Sequence, residues 1–171
     1  MSEQVGKVTF KGDPLTLVGD EISVGQPAPD FAATGVDLAP VTLASYRGKV
    51  VIVSSVPSLD TPVCDIQTRR FNDEAGKLGA DVVVLTVSMD LPFAQQRWCG
   101  AADAGAVITV SDYKDHSFGQ AYGLRIKELG LLARAVLVID KQGLVIHHEL
   151  VGEVTEQPDY DAAVNAAKTA G

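Results

Sequence analysis

The residues best equipped for chemistry in this chain lie in one run, Pro57-Ser58-Leu59-Asp60-Thr61-Pro62-Val63-Cys64. The run follows an apolar β-branched stretch, Val50-Val51-Ile52-Val53, and leads into a helical pattern. Thr61 suits a helix N-cap and Pro62 the first helical position, which puts Cys64 at about the third. Amides of a first turn have no intrahelical partner and carry the positive end of the helix dipole. A thiol placed there is biased toward the thiolate, the nucleophilic form. The competing reading of any lone cysteine is a buried, inert side chain. A helix start contributes only about 0.3–1 kcal/mol, whereas making an ordinary thiol mostly anionic at neutral pH takes about 3 kcal/mol. A cation is therefore needed, and the candidates are Arg69, Arg70, Arg97, Arg125 and Arg134. Arg134 is the choice, because it stands at the entry to a predicted central strand. An arginine withdrawn from water at such a place needs an anionic partner or ligand. Its competing reading is a surface ion pair at a strand end. Arg69 and Arg70 fall inside the helix and are expected on its solvated face.

The neighbours of Cys64 have two readings each. Thr61 is a plain cap, or its hydroxyl also accepts from an amide and donates to a thiolate or a bound oxygen. Pro57 ends the strand and would also shield the sulfur from water. Asp60 and Asp65 would oppose a thiolate if they faced it, and are expected to face solvent. The second cysteine, Cys99, lies far outside CxxC spacing, and with only His116, His147 and His148 available a structural zinc site is not expected. Alone it would be filler; beside an activated Cys64 it becomes a candidate resolving thiol. The two cysteines are predicted on separate helices. A disulfide needs Cα atoms about 4.4–6.8 Å apart, so a larger resting distance demands local unwinding at both.

The elements that must position these groups can be read in order. Residues 7–11 and 15–18 alternate around Gly12-Asp13-Pro14 and predict a β-hairpin. Residues 25–31 form a Pro/Gly connector entering a short extended piece, and residues 41–43 a short strand. Residues 50–56 and 81–88 lack alternation, as strands buried on both faces do. A helix is predicted from Pro62 to about Leu78, stopped by Gly79, and another opens at Pro92 with Phe93, Arg97, Trp98 and Cys99. Residues 107–110 make a shorter strand and 116–122 a short helix closed by Gly123. Residues 135–140 and 144–150 form a hairpin around Lys141-Gln142-Gly143, and Pro158 starts a last helix. The sum is βαβ, then a β-hairpin and a terminal helix, with an extra hairpin in front: an α/β sandwich with a mixed sheet.

A chain of 171 residues, 46% hydrophobic and 21% charged, fits one domain, residues 1–171, with a substantial core. A net charge of −8 argues against nucleic acid or an anionic membrane as the main partner. No signal-peptide pattern opens the sequence and no apolar run reaches membrane-spanning length, so the expected compartment is cytoplasmic. Two cysteines in a cytosolic chain are more often reactive or buried than bridged.

A strand, a short turn and a cysteine opening a helix also begin a thioredoxin-like site, but here Thr61 stands where the first thiol of CxxC would be. That weakens a reading as a disulfide oxidoreductase. The run 57–64, the stretch Asp90-Leu91-Pro92-Phe93-Ala94-Gln95 with Arg97-Trp98-Cys99, and Ala133-Arg134 leading into Ala135–Asp140 together resemble the bacterial thiol peroxidase family, atypical two-cysteine peroxiredoxins. The resemblance runs through nearly the whole chain. It implies a thioredoxin fold with an added N-terminal hairpin, Cys64 as peroxidatic nucleophile, Thr61 and Arg134 as its activators, Pro57 as its shield and Cys99 as resolving cysteine. It also implies a homodimer, thioredoxin as electron donor and no metal or organic cofactor. The substrate would be hydrogen peroxide or an organic hydroperoxide, the latter hinted at by apolar residues around Phe93 and Trp98. A peroxide-responsive redox sensor that switches a partner through the same disulfide shares the first chemical step; repeated turnover separates the two.

Overall fold

The computed structural model describes residues 1–170. Its strands and helices, in chain order, are β1 (Glu3–Phe10), β2 (Asp13–Val18), β3 (Ala32–Gly35), β4 (Pro40–Thr42), β5 (Val50–Ser55), α1 (Pro62–Ala75), β6 (Val82–Ser88), α2 (Pro92–Ala102), β7 (Ile108–Ser111), α3 (Ser117–Ala121), β8 (Arg125–Ile126), β9 (Leu131–Leu132), β10 (Ala135–Ile139), β11 (Val145–Leu150) and α4 (Tyr160–Ala170). Seven strands form a mixed central sheet in the order β11-β10-β5-β6-β7-β3-β4. Within it β5, β6 and β7 are parallel, and antiparallel strands extend both sides. The unalternating run at β5 is explained directly, since all six of its residues are buried.

The two faces of that sheet carry separate cores. Val50, Ile52, Val84, Val136 and Val138 point to the side covered by α1, α2 and α4, where they meet Cys64, Phe71, Trp98, Ala163 and Ala167. Val51, Val53, Leu85, Val87, Leu137 and Ile139 point to the other side, where Phe118 of α3 and Leu15 and Leu17 of β2 close over them. Burial of this kind is worth roughly 1.5–3 kcal/mol per large aliphatic side chain. Because α1 and α2 are successive crossovers between adjacent parallel strands, they lie side by side on one face. That places the starts of both helices at the C-terminal edge of the parallel strands.

The expected N-terminal hairpin is present, turning on Lys11-Gly12 with both residues at positive φ, as a two-residue primed turn requires. It is more than an appendage. β2 pairs with β8 and β8 with β9, giving a four-stranded second sheet not anticipated from the sequence, because two-residue strands carry no periodicity. The hairpin is joined to the body where Gly19, at φ +119°, passes against the Gln120 carbonyl, a contact that leaves no room for a Cβ. The first helix ends at Ala75, three residues before Leu78, with Gly76 as its C-cap. Among the described residues no helix is long and apolar enough to cross a membrane.

Candidate active site

Helix α1 begins as its sequence dictates, with Thr61 extended at the N-cap and Pro62 in the first turn. The first intrahelical bond closes from Asp65 N–H to the Thr61 carbonyl at 3.0 Å. Pro62 has no N–H, and the amides of Val63 and Cys64 meet no acceptor among the described residues, so two donors point out of the helix start beside the thiol. Cys64 itself is fully buried. Thr61 does not cap with its side chain. Its hydroxyl donates instead to the Ser58 carbonyl at 2.8 Å, closing the preceding turn, and the residue is exposed. Its place is that of a turn-closing group, and its hydroxyl makes no hydrogen bond to the sulfur. Pro57 is buried directly after β5, at the foot of that turn.

Arg134, on the bend before β10, is the cation that reaches the sulfur. Its Nη2 donates to Cys64 Sγ at 3.3 Å and to the Val154 carbonyl at 2.8 Å. Nε donates to the same carbonyl at 3.0 Å, and Nη1 to Gln67 Oε1 at 2.8 Å. Gln67 Nε2 in turn donates to Ser54 Oγ of β5 at 2.8 Å. Arg134 is only 2% exposed, and none of the ion pairs among the described residues involves it. A buried charge without a carboxylate is costly unless another anion answers it. Cys64 Sγ is the one group in its hydrogen-bonding shell that can become that anion; the others are a carbonyl and an amide. The other four candidate arginines lie elsewhere. Arg69 and Arg70 are on the exposed face of α1, Arg97 meets Asp60 at 3.5 Å on the surface, and Arg125 sits in β8.

Two parts of this arrangement escape the sequence reading. Gln67 is one; an uncharged polar residue in the buried stripe Cys64, Gln67, Thr68, Phe71 was the signal that could have found it. The other is the loop that supplies Val154. Val154 N–H donates to the Thr9 carbonyl at 2.9 Å, and Thr9 N–H donates to the Gly152 carbonyl at 2.8 Å. Glu153 accepts from Gly12 N–H, from the Thr9 hydroxyl and from Thr155. Those bonds, led by the Thr155 amide and hydroxyl, hold the Glu153 carboxyl down to about 2. The N-terminal hairpin thus braces the carbonyl that orients Arg134.

Asp60 is exposed, but Asp65 is not simply a solvated carboxylate. It accepts from Trp98 Nε1 at 2.9 Å and from Arg69 Nε at 2.9 Å. Trp98 is consequently 8% exposed, whereas Phe93 is 63% exposed. Of the two aromatic residues noted near α2, only Phe93 presents an apolar surface.

Cys99 sits in the second half of α2, partly buried, and its sulfur is 3.6 Å from the Thr109 hydroxyl of β7. Both cysteines are free. The Thr109 position is in register with Thr86 of β6 and with Ser54 of β5, the serine that accepts from Gln67. Among the described residues no group of three or more His, Cys, Asp or Glu side chains converges as a metal site would require. The site holds one sulfur against a guanidinium and two free amides, a setting in which a thiolate can attack and the charge leaving it can be received.

The Redoxin family model matches residues 23–164. A thiol peroxidase of Bacillus subtilis (strain 168) is 55% identical over 164 residues, covering 96% of this chain and 98% of that one. A crystal structure of a peroxiredoxin-like protein from Aquifex aeolicus superposes with a TM-score of 0.89 at 41% identity, covering 96% and 98% of the two chains. A thiol peroxidase from Chromobacterium violaceum, 18% identical and covering 91% of each chain, shares the fold with a TM-score of 0.81. The fold is thioredoxin-like, with the N-terminal strand pair added.

Proposed function

The chain belongs to the redoxin family and, within it, to the bacterial thiol peroxidases, and from that premise we propose that it reduces hydroperoxides through Cys64. The observation that carries this reading is the buried Arg134 guanidinium, which has no carboxylate and donates to Cys64 Sγ at 3.3 Å. Cys64 as thiolate neutralises it. The sulfur attacks the terminal oxygen of the peroxide, the O–O bond breaks, and the departing oxygen leaves as water or an alcohol after taking a proton. Cys64 becomes a sulfenic acid. The unused N–H on Arg134 Nη1 and the amides of Val63 and Cys64 receive charge on the oxygens as that bond lengthens. Thr61 serves by closing the turn that presents the helix start, and Pro57 by keeping water from the sulfur.

Cys99 then attacks Cys64, the S–O bond breaks, and hydroxide leaves with a proton as water, forming an intramolecular disulfide. An external dithiol restores both thiols by exchange. The family resemblance supports thioredoxin as that dithiol and a homodimer in solution. The test is peroxide consumption with a reconstituted thioredoxin system. Many equivalents should be consumed by the wild type and none by Cys64→Ser. Cys99→Ser should complete one fast reduction and then stop. Steady-state turnover by Cys64→Ser would end the proposal. A wild type that oxidises once without cycling would favour the sensor.

A further inference from the structure

The residue after Cys64 and the residue before Cys99 are bonded to each other. Trp98 Nε1 donates to Asp65 Oδ1 at 2.9 Å, Arg69 Nε donates to Asp65 Oδ2 at 2.9 Å, and the Arg69 guanidinium lies 5.6 Å from the Trp98 ring centre. Arg69 Nη1 also reaches the Ala102 carbonyl in the last turn of α2 at 3.4 Å. One carboxylate and one guanidinium on α1 therefore hold the part of α2 that carries Cys99. Little else does. The buried side chains of α2 are Pro92, Gln95 and Trp98, so Trp98 is the last of them, with Cys99 and Ala102 only partly buried beyond it. Beyond it come Cys99, Gly100, which is unfavourable inside a helix, and a left-handed C-cap at Asp103, φ 52°.

The two sulfurs are not joined while this cluster is closed. Cys64 Sγ is held by Arg134 at the head of β10 and Cys99 Sγ by Thr109 of β7, with β5 and β6 between them. The two sulfurs are hydrogen-bonded to different groups and sit on different helices, whereas a disulfide needs Cα atoms about 4.4–6.8 Å apart. Bringing the thiols together requires the second half of α2 to leave its seat, the first turn of α1 to open, or both. Asp65 resists each of these. It accepts the Trp98 N–H, and it sits in the first turn of α1, where a carboxylate stabilises the helix start.

We propose that Asp65, Arg69 and Trp98 form a latch that keeps Cys99 seated and thereby sets the rate of the resolving step. This rests on the peroxidase reading above. The latch leaves the first step alone, because none of its side chains hydrogen-bonds to the sulfur or to Arg134. Its consequence is a longer-lived sulfenic acid. While Cys64 waits in that state, a second hydroperoxide can transfer its terminal oxygen to the sulfur, giving a sulfinic acid and one water or alcohol. Asp65, Arg69 and Trp98 are positioning residues, and what they position is the choice between disulfide and overoxidation.

The test is single-turnover quenching of the reduced protein with an alkylating reagent and mass analysis of both cysteines. Trp98→Phe keeps the buried ring and removes the N–H; Asp65→Asn removes the charge. Each should accelerate disulfide formation by about tenfold, the scale of losing one charge-assisted hydrogen bond. Sulfinic acid formed per turnover should fall by the same factor, and the rate of first oxidation should stay within about twofold. The double variant should gain less than the two singles combined, since both weaken the same Trp98–Asp65 bond. Arg69→Gln, at an exposed side chain, should accelerate resolution less and keeps the test open if either other variant fails to fold. Unchanged or slower disulfide formation in the folded variants overturns the latch, as does an equal change in the first step. A wild type that forms no Cys64–Cys99 disulfide would instead overturn the reading beneath it.

Discussion

The two cysteines live in opposite environments. Cys64 is fully buried, fixed at a helix start, and faced by a guanidinium whose other bonds go to Gln67 and Val154. Cys99 is partly buried and has one long hydrogen-bond contact to a threonine hydroxyl, on a helix end tied to α1 through Trp98 and the Ala102 carbonyl. On the proposed reading, the difference follows from what each must do. A sulfur that receives an oxygen gains from groups already in place when charge moves, because no reorganisation is then needed. A sulfur that must travel to a partner loses by being held tightly.

The strongest way to break this contrast is to remove the charge that defines the first site. Arg134→Met should lower the second-order rate of Cys64 oxidation about 10³-fold, the scale of losing an electrostatic donor in a dry site. The rate at which Cys99 reacts with an alkylating reagent should not change. Stopped-flow oxidation and timed alkylation check both halves. Gln67→Leu should cost less, about tenfold in the same oxidation rate, because Arg134 keeps its bonds to Val154 and loses only one neutral partner. If Gln67→Leu matched Arg134→Met, the orientation of the guanidinium rather than its charge would govern the site.

The hairpin brace supplies a smaller effect with a pH signature. The Glu153 carboxyl is held near 2 by the amides and hydroxyls it accepts from, so the folded protein binds fewer protons there than the unfolded chain. Its contribution is full above the ordinary carboxylate range and is lost as the pH falls toward 2. Glu153→Gln should slow Cys64 oxidation about threefold by loosening Val154, a fraction of one hydrogen bond, and should lessen the loss of stability in acid, read from melting temperature against pH. The smallest effect is expected at His148, whose value is lowered chiefly by burial and whose Nε2 is buried without a partner. The neutral ring is the folded form, so stability should be full above the ordinary histidine range near 6.5 and decline as the pH falls through it. His148→Gln should flatten that slope while leaving Cys64 oxidation unchanged.

How far the sequence reveals this molecule depends on the distance over which each feature is decided. The helix start at Thr61-Pro62, the buried strand at 50–55 and the second helix at Pro92 rest on neighbours in the chain, and all are found where the residues place them. Arg134 was legible because a charge at the mouth of an apolar strand needs a reason. Gln67 was legible in principle, as a polar residue in an apolar stripe. The brace from Thr9 to Gly152 was not, since it joins residues at opposite ends of the chain and neither has a type that announces it. The bond from Trp98 to Asp65 was hidden for the same reason. Asp65 was expected to face water, and only the side-by-side packing of α1 and α2 gives it a partner.

The central claim is that Arg134 is answered by an anionic Cys64 sulfur in the resting protein. Ultraviolet absorption of a thiolate reads this directly in the reduced Cys99→Ser protein, where Cys64 is the remaining thiol. The account predicts a thiolate signal at neutral pH that disappears when Arg134→Met is added. A signal of equal size with and without the guanidinium, or none in either protein, would contradict it.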